Sequence, residues 1–224
     1  MNNLTVVEKY SLCALKEIKS FNNVQFSIHL ITSMLLEMML DDNLEIIERD
    51  KKSLFGSEYK IILNAKAPNN SYNRIVYNYI KDMNKMEYDL FDIIMQIHHG
   101  SGFSDKKYRE IVSALKEEMV VKGLISLEEK RGLFGKREKL VINNEKFDLV
   151  VDEVKAEFID KDNYSDKTLL LGSLLNSINF LKNIVNKYEK DDLKNRINQI
   201  KDTDISKKVK VAREVIAIIT SASS

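Results

Sequence analysis

Between Val24 and Leu40 the chain places eleven apolar residues in seventeen, and this stretch constrains the fold more than any other. The polar interruptions are Gln25, Ser27, His29, Thr32, Ser33 and Glu37, and Asp41 and Asp42 close the run. A bilayer crossing needs roughly 20 predominantly apolar residues, so the stretch is too short and too polar to span lipid. A helix that is apolar around most of its circumference must instead be wrapped by other elements. The sequence therefore predicts a central helix buried in protein. Its neighbours are expected to be helical too, because one proline and seven glycines in 224 residues leave few breaks.

The pattern on either side supports that reading. Residues 5–18 carry Val6, Val7, Tyr10, Leu12, Cys13, Leu15 and Ile18 at mostly helical spacing, with Thr5 as the cap. Residues 44–47 and 59–63 are short Ile-rich runs that predict a first β-hairpin, and the turn at 67–71 closes it around Pro68. Two helices are expected over 73–100. Another should run from a cap at Ser104 to Lys122, with Gly123 in the C′ position. A second hairpin is expected to pair 124–127 with 139–142 around a tip at 131–137. Helices over 144–159, 165–187, 191–200 and 204–220 complete the chain. No segment reads as a flexible linker, so the expectation is one mainly α domain over residues 1–224. It is a helical bundle with small β-hairpins, one of them projecting.

Composition excludes several function classes. Lys+Arg 35 against Asp+Glu 34 leaves a formal charge of +1, which argues against a nucleic-acid binder working through bulk charge. One cysteine, Cys13, rules out an internal disulfide framework and a multi-cysteine zinc site. With no signal peptide in the sequence, a reducing cytosol is the expected compartment. His98-His99-Gly100-Ser101-Gly102 lacks carboxylates at ligand spacing, so no metal is assigned to it. Neither a P-loop, a dinucleotide fingerprint nor a nucleophile elbow occurs. The expected protein is not an enzyme and needs no cofactor.

The tip of the second hairpin carries the most specific local chemistry. Leu133 and Phe134 stand between Gly132 and Gly135, flanked by Lys130, Arg131, Lys136 and Arg137. Glycines admit the positive φ of a tight turn, and an apolar pair among four cations suits an anionic membrane surface. Inserting the two side chains contributes roughly 1.5–3 kcal/mol each, and each cation near anionic lipid about 1 kcal/mol. The same residues would also serve a contact with a partner protein or a second copy. On the preceding helix Tyr108, Ile111, Leu115 and Met119 share an apolar face at about 100° per residue. Arg109 and Lys116 lie together at its margin, as a phosphate-holding pair or as a solvated border.

The order of elements resembles the Golgi phosphoprotein 3 family. Residues 4–16 are similar to that family's opening helix. Met34-Leu35-Leu36-Glu37-Met38-Met39-Leu40 followed by Leu44-Glu45-Ile46 is similar to its central helix and next strand. Met119-Val120-Val121-Lys122-Gly123-Leu124 resembles the approach to its membrane hairpin, and residues 169–187 and 214–219 its last helices. The resemblance implies a helical fold that docks peripherally on membranes and binds phosphatidylinositol 4-phosphate. It places the inserting hairpin on Leu133 and Phe134. Of the family's headgroup positions, Arg109 keeps its character. Asn22 stands where the family has an aromatic residue, and Ile31 and Val112 stand where it has basic ones. Lys106, Lys107 or Lys116 would offset part of the lost charge. These departures, and a chain that begins directly at the domain, point to a bacterial relative whose ligand is a generic anionic lipid.

The expected function is thus a cytoplasmic protein on the cytosolic face of a membrane. Asn22, Arg109, Lys116, Lys130, Arg131, Lys136 and Arg137 meet headgroups, while Leu133 and Phe134 insert. The alternative is a soluble interaction module whose hairpin mediates self-association or partner binding.

Overall fold

The computed structural model describes residues 4–18, 20–49, 59–99, 106–132, 135–159, 164–184 and 206–222, with backbone alone at 99, 130–132, 135–138, 158–159 and 222. The first helix, α1 (Val6–Ile18), starts at a reciprocal cap. Glu8 N–H donates to Thr5 Oγ1 at 3.1 Å, and Thr5 N–H donates to Glu8 Oε2 at 3.0 Å. This exchange satisfies two backbone donors that a helix start otherwise leaves orphaned. Helix α2 (Val24–Leu40) begins where the Asn23 side chain accepts from Phe26 N–H at 2.9 Å. It ends in a left-handed residue, Asp42 at φ 59°, with Asn43 N–H reaching back to Met38 O at 2.8 Å.

Helix α2 is the hub of the fold. Thirteen of its residues are buried, and it touches α1, the first strand and four later helices. Strands β1 (Leu44–Glu48) and β2 (Tyr59–Leu63) pair antiparallel from Leu44↔Leu63 to Glu48↔Tyr59, as expected. A two-residue strand not foreseen in the sequence, β3 (Tyr88–Asp89), joins the far side of β2. Helices α3 (Ser71–Asp82), α4 (Leu90–His99) and α5 (Lys106–Val121) follow. The second hairpin is β4 (Ile125–Gly132) with β5 (Gly135–Ile142). Then come α6 (Asn144–Ile159), α7 (Asp166–Ser177), α8 (Phe180–Ile184) and α9 (Lys207–Ala222).

The molecule is therefore mainly α with small antiparallel sheets, and its buried apolar residues form one continuous cluster from Val6 to Ile219. Two expectations need correction. The helix predicted over 165–187 is broken, because Asn179 adopts φ 58° between α7 and α8. Asparagine tolerates that left-handed geometry better than other residues that carry a Cβ. The second hairpin is also longer than expected, since its strands continue through the cationic positions instead of ending before them. Ser104 and the helix expected over 191–200 lie outside the described residues. Among the described residues, no helix is long and apolar enough to cross a membrane.

Two carboxylates are buried at the start of α1. Glu37, fully buried within α2, accepts from Val6 N–H at 2.7 Å, Val7 N–H at 3.3 Å and Asn73 Nδ2 at 2.9 Å. Burial pushes its pKa up to about 7, against the lowering effect of those donors. Glu8 is equally buried, and both its oxygens accept from Lys122 Nζ, at 2.6 and 2.7 Å.

Candidate functional site

The second hairpin grows directly out of two helices. Gly123 follows α5 at φ 68°, donating to Val120 O at 2.9 Å, while Leu124 N–H donates to Met119 O at 2.9 Å. These two bonds form the Schellman pattern, which requires a left-handed residue at the position Gly123 occupies. On the other side, Asn143 N–H donates to Leu124 O at 2.9 Å, and its amide donates to Gly123 O at 3.0 Å. Asn143 Oδ1 then accepts from Lys146 N–H at 3.2 Å, capping α6. Leu124 and Ile125 are buried, so the root of the hairpin belongs to the core.

Beyond the root the hairpin leaves the body. Ser126, Leu127, Glu128 and Glu129 on β4 and Lys139 on β5 are exposed, while Leu140 and Val141 are half-buried and Leu140 still packs against the core. Pairing runs unbroken from Ile125↔Ile142 to Gly132↔Gly135. At about 3.3 Å per residue, strands of this length reach about 26 Å. The register sets Lys130 opposite Arg137 and Arg131 opposite Lys136, so two successive rungs near the far end are wholly cationic. Like charges directly opposite one another destabilise an antiparallel pair. Leu133 and Phe134, between the paired glycines, lie outside the described residues.

The other expected site residues gather elsewhere. Asn22 is exposed, in the turn between α1 and α2. Next to it Phe21 is buried, its carbonyl accepting from Tyr108 Oη at 2.6 Å. Lys116 Nζ lies 5.5 Å from the centroid of the Phe21 ring, a cation–π distance. Arg109 is exposed on α5, two helical turns before Lys116. The structure thus brings Asn22 and Lys116 together through Phe21, with Arg109 on the same helix face. It does not bring this group to the hairpin cations: from Arg109 to Lys122 the helix rises about 20 Å. Ile31 and Val112 are buried in the core, so they line no open headgroup pocket. Lys107 is committed locally, 3.0 Å from Glu110.

His98 and His29 are structural in their surroundings. His98 Nδ1 lies 2.7 Å from Ser27 Oγ, a distance that suits a nucleophile and its base. However, Ser27 Oγ donates to Val24 O at 2.8 Å, so its proton is committed to the backbone and His98 must donate to it. Ser27 is also buried. His29 stands 3.2 Å from Ser177 Oγ, and burial lowers its pKa. Gly100, Ser101 and Gly102 lie outside the described residues. No group of three His, Cys, Asp or Glu among the described residues is placed to hold a metal ion.

Sequence reasoning missed the polar groups that support the hairpin root, namely Glu8, Lys122 and Asn143. The Thr5-Val6-Val7-Glu8 spacing signals a capping box, yet nothing local indicates that Lys122 is the partner of Glu8, 114 residues away. No protein-family model matches this chain, and no curated protein matches it.

Proposed function

We propose that this protein docks peripherally on an anionic membrane through the β4–β5 hairpin, without catalysing a reaction. The observation that carries this reading is the register: two all-cationic rungs stand at the far end of a ribbon whose described β4 side chains beyond the root, with Lys139 on β5, are exposed. Such rungs cost the isolated hairpin stability, and an anionic surface relieves that cost. Four cations contribute about 4 kcal/mol on anionic lipid. Insertion of Leu133 and Phe134 contributes roughly 3–6 kcal/mol more. The sum of about 7–10 kcal/mol corresponds to dissociation constants from about 10 μM down to tens of nanomolar.

The resemblance to the Golgi phosphoprotein 3 family makes phosphatidylinositol 4-phosphate the reference ligand. The buried Ile31 and Val112 favour a relaxed preference for anionic lipid in general, with Asn22, Arg109 and Lys116 as secondary headgroup contacts. The proposed location is accordingly the cytosolic face of a membrane. A second reading rests on a different observation. Among the described residues β4 and β5 pair only with each other, so the outer edge of each strand is available for strand addition by a partner protein or a second copy.

Sedimentation with neutral, generically anionic and phosphatidylinositol-4-phosphate-containing vesicles tests the proposal. Wild type is expected to bind both charged kinds and to lose binding with Leu133→Asp/Phe134→Asp. A Lys130→Glu/Lys136→Glu variant turns both rungs into opposite-charge pairs, so it should stabilise the hairpin while abolishing vesicle binding. Binding to no vesicle, with a doubled mass in the absence of lipid, would overturn docking and favour strand addition.

A further inference from the structure

We infer that Lys122 is a positioning residue for docking: its ion pair with buried Glu8 fixes the direction in which the β4–β5 hairpin leaves the body. This inference rests on the membrane-docking reading for its functional meaning, although the geometry stands without it.

The hairpin root is stiff within itself. Gly123, Leu124 and Asn143 exchange bonds of 2.9–3.0 Å that join the end of α5, the two strands and the start of α6. These bonds set the shape of the root, and buried Leu124 and Ile125 seat it in the core through apolar contact, which has no preferred direction. Lys122 adds a directional, charged tie from the root to α1. It is the last residue before Gly123, and its ammonium reaches both oxygens of Glu8 at 2.6 and 2.7 Å. Glu8 is itself immobilised, fully buried in α1 and bound to Thr5 N–H by the reciprocal cap.

A fully buried carboxylate is a poor choice for stability alone, because desolvation consumes most of the attraction between the charges. What such a pair supplies is geometry, since among the described residues the buried carboxylate has one cationic partner and, with Thr5 N–H holding one of its oxygens, one low-energy direction. Here that direction is set next to the pivot of an arm about 26 Å long, where a rotation of a few degrees displaces the cationic rungs by more than an ångström. The nearby pair of Lys9 with Glu153, at 2.7 Å, joins α1 to α6 instead of to the end of α5 and does not engage the root residues, which makes it the natural control.

Removing only one member would strand a buried charge, so the test uses Glu8→Gln/Lys122→Met, which removes both. Spin labels are placed on the hairpin at Glu128→Cys and on α3 at Lys81→Cys, both exposed, while buried Cys13 stays unlabelled. Without vesicles, the label-to-label distance distribution should broaden in the double variant while far-UV helical content stays unchanged. Binding to generically anionic vesicles should weaken roughly tenfold, the cost of ordering a free arm on the surface. Lys9→Met/Glu153→Gln should leave both readouts as in wild type. A distribution as narrow as wild type in the double variant would overturn the inference, as would broadening with undiminished vesicle binding. Broadening in a protein that binds no vesicle even as wild type would keep Lys122 as the determinant of hairpin direction and overturn the docking reading instead.

Discussion

Glu37→Gln should reverse its effect on stability with pH. Glu37 is fully buried, and burial raises its pKa from 4.5 to about 7. Below about 4.5 the folded and unfolded states both hold the proton. As pH rises towards 7 the unfolded chain releases it while the native state keeps it, so this group's contribution to stability falls and levels off above 7. At about 1.4 kcal/mol per pH unit, the difference amounts to about 3 kcal/mol. Asp41 adds to the raising, and Tyr72 faces the same carboxylate. His29 acts in the opposite sense. Its lowered pKa means that the unfolded chain takes up a proton below 6.5, so stability from that group rises with pH. Comparing wild type with the variant cancels His29.

The variant should fold. A glutamine oxygen can still accept from Val6 and Val7, and Asn73 Oδ1, buried without a partner, can turn to accept from the new amide. Rearrangement costs about 1 kcal/mol. Wild type should therefore be the more stable by about 1 kcal/mol at pH 4.5, and the variant by about 2 kcal/mol at pH 9. For a chain of this size the latter corresponds to a Tm higher by about 4–8 °C. Thermal unfolding followed by far-UV circular dichroism from pH 4.5 to 9 reads this out. A constant difference between the two proteins across the range would refute the reasoning, because Glu37 would then bind its proton equally in the folded and unfolded states.

Three further outcomes follow from local geometry. Gly123→Ala has open space at the new Cβ but retains φ 68°, so it should lose about 1–2 kcal/mol from backbone strain alone, with Gly123→Asn losing less by urea titration. Asn23→Ala removes the bond to Phe26 N–H and should cost about 1 kcal/mol in the same assay. Cys13 is fully buried, with its thiol pushed up to about 12. A thiol-reactive chromogenic disulfide should therefore label it only at the rate of unfolding, and rapid labelling of the native protein would contradict that burial.

Much of the fold was legible because it depends on short-range signals. The run from Val24 to Leu40 required burial on every side, Gly123 marked a helix end, and the Ile-rich runs of the first hairpin paired in the expected positions. Strand β3 was not legible, since two residues carry no periodicity and gain their pairing from β2. The break at Asn179 was missed for a related reason, as the apolar spacing continues across it while one backbone angle interrupts the helix. For the candidate site, sequence located the cations and their helix or hairpin. The paired register carries those positions along the strands, and it sets cationic positions opposite cationic positions.

What the sequence determined by itself was the set of local conformations: which segments coil, which extend, where a glycine or a capping side chain ends them. These follow from backbone sterics and from bonds spanning three or four residues. Only the tertiary structure decided the partners of groups far apart in the chain. Glu37 in the middle of an apolar helix became the acceptor for the start of α1, and Glu8 became the anchor of Lys122 beside the hairpin. A carboxylate excluded from water must find donors wherever packing presents them. Their identity depends on which helices meet, a property that no local pattern encodes.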